Sequence, residues 1–189
     1  MVAVFEHWQR VPVEWKGGAV ALGNFDGVHK GHQALLAEAT TRAKALAKPL
    51  VALTFEPHPR RFFVPDTGPF RLTLAPAKTR LLGEHGVQAI LAQHFDEAFA
   101  ALTADAFIDD VLLKGLGARH VVCGYDFTYG ARRGGSHSGL GKICEGKWTA
   151  QRCADPRAGD DHGHRLDVRS RGHDAGRRFR HGAGCRQQG

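Results

Sequence analysis

The chain has 189 residues, 42% of them hydrophobic, and a formal net charge of +7. That is room for one cored domain plus an appendage, and the basic balance favours phosphorylated or nucleic-acid partners. Residues 1–16 hold Glu6, Arg10 and Glu14 and no apolar run, which argues against a secretory leader, and no stretch reaches membrane-spanning length, so no membrane partner is expected. Cys123, Cys144, Cys153 and Cys185 lack framework spacing, which makes a reduced, cytoplasmic setting the expectation.

The first predicted element is a strand at Ala19–Leu22, followed by the turn Gly23-Asn24-Phe25-Asp26-Gly27-Val28-His29-Lys30-Gly31-His32. A helix is predicted over Gln33–Lys48, punctuated by Pro49. Then come a strand at Leu50–Phe55, a helix at Ala75–His85 closed by Gly86, and a strand at Val87–Ala92. The next helix, Ala104–Leu116, has Thr103 as N-cap, a stripe of Phe107, Ile108, Val111 and Leu112, and Gly115 and Gly117 at its end. A strand at His120–Cys123 completes the alternation. Strands alternating with helices imply an α/β fold with a parallel sheet covered on both faces, and ligands sit beyond the carboxyl ends of its strands.

Three segments leave strands at that edge. A strand-to-helix turn is a phosphate site, because free N–H groups and the positive end of the helix dipole meet there. His29-Lys30-Gly31-His32 adds two imidazole donors, Gly27 and Gly31 permit close backbone approach, and Asn24 and Asp26 can orient the loop. Attack on the α-phosphorus of a nucleoside triphosphate needs preorganised donors and Mg²⁺ more than covalent chemistry, so the pattern points to nucleotidyl transfer. The second segment runs from Thr54 to Phe63 through Pro57-His58-Pro59-Arg60-Arg61. Its two prolines predict an extended loop, either a ring- and phosphate-binding surface or a rigid connection with Phe62 and Phe63 in the core. The third, Cys123–Gly135, combines glycines, aromatics and arginines, which suits a ligand-binding loop or a solvated basic one.

Beyond Gly135 the chain changes character. Across 136–189 the Val, Ile, Leu and Phe residues fall to Leu140, Ile143, Leu166, Val168 and Phe179, and arginine, glycine and histidine dominate. So few apolar groups cannot offset the entropy of ordering, and the tail is expected to be poorly ordered. Cys144, Cys153, His162, His164 and Cys185 lack the tight pair of a structural zinc site, so no metal site is assigned. The basic groups leave non-specific nucleic-acid binding as a minor alternative.

Together, Gly23–His32, Thr54–Arg60, Arg71-Leu72-Thr73, Phe95–Phe99, Gly117–His120 and Gly124–Gly130 resemble, in order and spacing, the FMN adenylyltransferase (FAD synthetase) module of bacterial bifunctional riboflavin kinase/FMN adenylyltransferases. The resemblance covers about residues 5–135. It implies a Rossmann-like nucleotidyltransferase that joins FMN and ATP into FAD and pyrophosphate with Mg²⁺. It implies that His29 and His32 stabilise the transition state. Gly23, Asn24, Phe25, Asp26 and Gly31 would form the ATP side; Pro57, His58, Phe62, Asp126, Phe127 and Tyr129 would form the flavin side.

Two departures stand out. The family's second signature, Ser-Ser-Thr-x-x-Arg, is absent from 160–171, where it would fall, and no riboflavin kinase domain is expected in these 189 residues. The first departure predicts impaired turnover. The tail reads as a frameshifted translation of a GC-rich gene, or as a natural divergent extension. A non-catalytic flavin or nucleotide binder, or a related transferase with a pantetheine or nicotinamide mononucleotide acceptor, stays open.

Overall fold

The computed structural model describes residues 1–64, 68, 71–124, 126–136 and, as backbone, 149–153. The elements in chain order are β1 (Ala3–Phe5), β2 (Ala19–Leu22), α1 (Lys30–Leu46), β3 (Leu50–Glu56), α2 (Pro59–Phe63), α3 (Ala75–Glu84), β4 (Ala89–His94), α4 (Glu97–Ala100), α5 (Ala104–Ala106), β5 (His120–Gly124), β6 (Thr128–Tyr129), β7 (Gly135–Ser136) and β8 (Thr149–Cys153). Six strands form one parallel sheet in the order β1-β4-β3-β2-β5-β8. The fold is thus the α/β parallel sheet that the alternation predicts, in the Rossmann-like form that the resemblance implies.

The sheet is sealed on both faces, as a parallel sheet must be. Alternation along each strand sorts the side chains. Val20, Leu22, Val51, Leu53, Leu91 and Val121 pack with Phe107, Ile108, Val111 and Leu112 on one face. Ala19, Ala21, Ala52, Ile90 and Val122 meet Leu35, Leu36 and Ala39 of α1 and Leu82 of α3 on the other. The chain runs outward from β2 to β3 and β4, then returns to place β5 on the opposite side of β2. The topological switch point therefore lies between β2 and β5, the usual place for a ligand crevice.

Three local expectations need correction. Helix α1 begins at Lys30, three residues early, because His29 already caps it: its Nδ1 accepts the His32 N–H at 3.4 Å. The expected extended loop after β3 instead turns into α2 at Pro59, where proline at the first helical position loses no hydrogen bond and His58 Nδ1 accepts from the Arg60 N–H. The predicted helix 104–116 is α-helical only through Ala106 and continues as π-helical turns over Phe107–Gly115. Thr103 caps its start as expected, its Oγ1 accepting from the Ala106 N–H at 3.1 Å.

Beyond residue 135 no regular element was expected. Yet the backbone of β8 pairs parallel with β5, His120 opposite Thr149 through Gly124 opposite Cys153. Ladder bonds are made by peptide groups, so side-chain periodicity does not announce them. The 160–171 segment, with His162 and His164, and also Cys144 and Cys185, lies outside the described residues.

Candidate functional site

The turn after β2 is held in an improbable shape. Phe25, Gly27 and Val28 take positive φ values of 52°, 70° and 37°. A β-branched residue there is strained, and such strain persists only where surroundings over-determine it. Phe25 is fully buried and anchors the turn, its ring 5.2 Å from that of His32. The Asp26 carboxylate bonds to the 72–73 segment. Oδ1 accepts from the N–H of Leu72 (3.0 Å) and of Thr73 (2.9 Å) and from the Thr73 hydroxyl (2.9 Å), and the Gly27 N–H donates to Thr73 Oγ1 at 3.1 Å. Burial pushes the Asp26 carboxyl up, but these donors and Lys78 outweigh it and the net shift is downward.

A second clamp grips the turn from beneath. Lys78, buried in α3, reaches Asn24 O (3.4 Å), Thr54 Oγ1 (3.5 Å) and Glu56 Oε1 (3.0 Å), and Arg71 pairs with the other oxygen of Glu56. Burial raises the Glu56 carboxyl, and the two cations override it to leave it lowered. Lys78 escaped the sequence reading. Its one signal was a lysine four residues before Leu82, on the buried stripe of α3.

The two histidines stack, ring centroids 3.7 Å apart at 20°, at the N-terminus of the 17-residue α1. Gly31 makes room: a Cβ there would lie 3.3 Å from His29 Cε1 and Nδ1. Desolvation, then the neighbouring His29, pushes the His32 pKa down to about 4, against the pull of Asp26 and Asp126. His32 is therefore a neutral donor at pH 7. Burial and the Arg71 charge also lower His58.

These groups border a cleft of about 1360 Å³ at the switch point. Gly23, Asn24, His29, Gly31 and His32 line it from β2 and α1; His58 from α2; Asp126, Phe127 and Tyr129 from beyond β5. Four expected site residues do not line it. Phe25 is in the core, Asp26 bonds to Thr73, Pro57 precedes the lining residues His58, Pro59 and Arg60, and the Phe62 ring packs on Phe63 and Phe95 at 5.1 and 5.3 Å. Phe55, Phe63, Phe95 and Phe99 line it instead, in mostly edge-to-face contact, an apolar wall suited to a flat ring. Asn24 Oδ1 and His32 Nδ1 are buried and have no hydrogen-bond partner among the described residues, as expected of a site completed by a ligand.

A family model described as FAD synthetase matches residues 11–161. The chain belongs to the FAD synthetase family. This FAD synthetase-family chain is 43% identical over 122 residues to the bifunctional riboflavin kinase/FMN adenylyltransferase of Pseudomonas fluorescens, and 43% over 120 residues to that of Escherichia coli K12. Those matches cover 65% and 64% of this chain but 39% and 38% of the relatives. The chain thus spans about two fifths of the length of the curated relatives it matches. A solved structure described as a macrolide-efflux protein from Streptococcus pneumoniae superposes with a TM-score of 0.67 at 25% identity, over 82% of this chain and 51% of that one. No helix among the described residues of the FAD synthetase-family chain is long and apolar enough to cross a membrane.

Proposed function

We propose that this chain transfers AMP from ATP to FMN, giving FAD and pyrophosphate. The observation that carries the reading is the stacked His29–His32 pair at the start of α1, on the wall of a cleft whose other wall is aromatic. An FMN phosphate oxygen attacks the α-phosphorus; the new P–O bond forms as the α–β P–O bond breaks, its electron pair leaving with pyrophosphate. A phosphate monoester is largely dianionic at pH 7, so the nucleophile needs no general base. His32, neutral at that pH, donates a hydrogen bond to the equatorial oxygens, and His29 and the α1 N-terminus add to the same field.

Gly23, Asn24 and Gly31 let the triphosphate approach the turn, while Phe25 and Asp26 act one step back by fixing it. His58, Asp126, Phe127 and Tyr129 face the flavin, and Pro57 and Phe62 shape the wall behind. Among the described residues no group of three His, Cys, Asp or Glu side chains is placed to hold a metal ion. Mg²⁺ would enter on the triphosphate and would supply neutralising charge to its phosphate oxygens.

The test is FAD formation from FMN and MgATP, read by chromatography. His32→Ala should slow it by about 10²–10³-fold; an unchanged rate would overturn the role given to His32. In the same reading residues 1–135 form the transferase unit and turnover is slow, because the hydroxyl- and arginine-bearing second signature is missing from 160–171. Product formed on nicotinamide mononucleotide or phosphopantetheine in preference to FMN would replace the acceptor.

A further inference from the structure

Two arginines on the cleft wall have no part in that reading. Arg132 and Arg133 follow β6, and both are exposed. They take successive left-handed conformations, φ 54° and 57°. Non-glycine residues seldom adopt that shape, and two in a row between glycines mark a backbone dictated from outside. The constraint is visible. The Ala131 N–H donates to the Leu102 carbonyl at 2.7 Å, the Arg133 N–H to Gly130 O and the Gly134 N–H to Ala131 O, both at 3.0 Å. Just before them the buried Tyr129 ring packs 5.2 Å from Phe107, and β7 returns antiparallel on β6. The turn is a fixed bracket that presents two guanidinium groups.

No described carboxylate lies within ion-pair distance of either group. Among the described residues that line the cleft, Arg132 and Arg133 share the wall with one carboxylate, Asp126, and His32 is neutral. Such a wall attracts a polyanion more than it does a monoester. Two adjacent planar forks can each engage oxygens of neighbouring phosphates, which a single phosphate cannot use in full.

We propose that Arg132 and Arg133 bind the phosphate chain of the nucleoside triphosphate and hold the pyrophosphate as it departs. The inference rests on the adenylyl-transfer reading for the identity of the ligand. In that reaction, negative charge accumulates on the β-phosphate oxygens as the α–β bond breaks, and the two guanidinium groups neutralise it.

The experiment is calorimetric titration of the full chain with MgATP and with inorganic pyrophosphate, beside a flavin-fluorescence titration with FMN. The double variant Arg132→Gln/Arg133→Gln removes the charge. Arg132→Gly/Arg133→Gly removes it too, while glycine accepts the positive φ without steric cost and keeps the bracket foldable. Both should weaken pyrophosphate binding by about tenfold or more and leave the FMN Kd within about twofold. Arg132→Lys/Arg133→Lys should recover part of the loss. Pyrophosphate binding unchanged in the glycine variant would overturn the proposal. So would weakened FMN binding in its place, which would put the arginines on the acceptor's phosphate. Binding is read without turnover, so arginine-dependent pyrophosphate binding in a chain that makes no FAD would fault the activity and not the site.

Discussion

Asp26 shows how a residue can matter to the candidate site without touching the cleft. Its carboxylate ties the turn to Leu72 and Thr73, and the lowered pKa means that the tie is strongest when it is charged. Asp26→Asn keeps the shape but turns a donor toward donors, and should cost about 1–3 kcal/mol at pH 7 by urea denaturation. The folded-state pKa is below the ordinary value, so this contribution is present above about pH 4 and is lost as pH falls through the folded value. The gap between wild type and variant should therefore narrow in acid; a gap independent of pH would place the stabilisation elsewhere. Asp26 itself was visible in the motif, as were both histidines. Its partners, 46 and 47 positions away, were not, because nothing in the local spacing of a turn says which distant N–H groups it will accept.

At the scale of elements, the segment after α5 carries a constraint that its hydrophobic stripe conceals. Phe107, Ile108, Val111 and Leu112 face the core in either an α- or a π-turn, so their spacing predicted the helix and missed its winding. Gly115 reveals the tight fit: a Cβ there would lie 2.7 Å from Trp8 Cε3 and 3.0 Å from the Asp110 carbonyl oxygen. Alanine is the better helix former, yet Gly115→Ala should lower stability by about 1–3 kcal/mol, because overpacking outweighs propensity. A melting temperature equal to or above that of wild type would show that Trp8 moves aside freely. The same limit explains α2: two prolines near each other read as extended, and only the cap supplied by His58 turns the second into a helix start.

For the whole molecule, the buried imidazoles set the acid limit. Desolvation pushes both His32 and His120 from 6.5 down to about 4, with Arg42 adding to the effect on His120. Between those values the unfolded chain binds protons that the folded chain refuses, so stability should fall as pH drops from about 6.5 to about 4. A loss of about 1–2 kcal/mol is expected after allowing for solvent near both rings, and His120→Gln should flatten that part of the curve. A stability profile level across the window would refute it. The parallel sheet was legible, because four strands and three helices announce themselves by period, but the strand order and the switch point it creates were not, since period says nothing about which strands pair. The pairing of β8 was not, since peptide groups alone make it.

The place of β2 between β3 and β5 governs when the protein becomes competent during synthesis. The strand can pair with β3 as soon as residue 56 is available, but its partners in β5 lie just over a hundred positions downstream. Loop closure over that distance is slow and comes late. The histidine turn is thus translated early and completed last, and a nascent chain halted short of β5 displays one open sheet edge where the cleft should be.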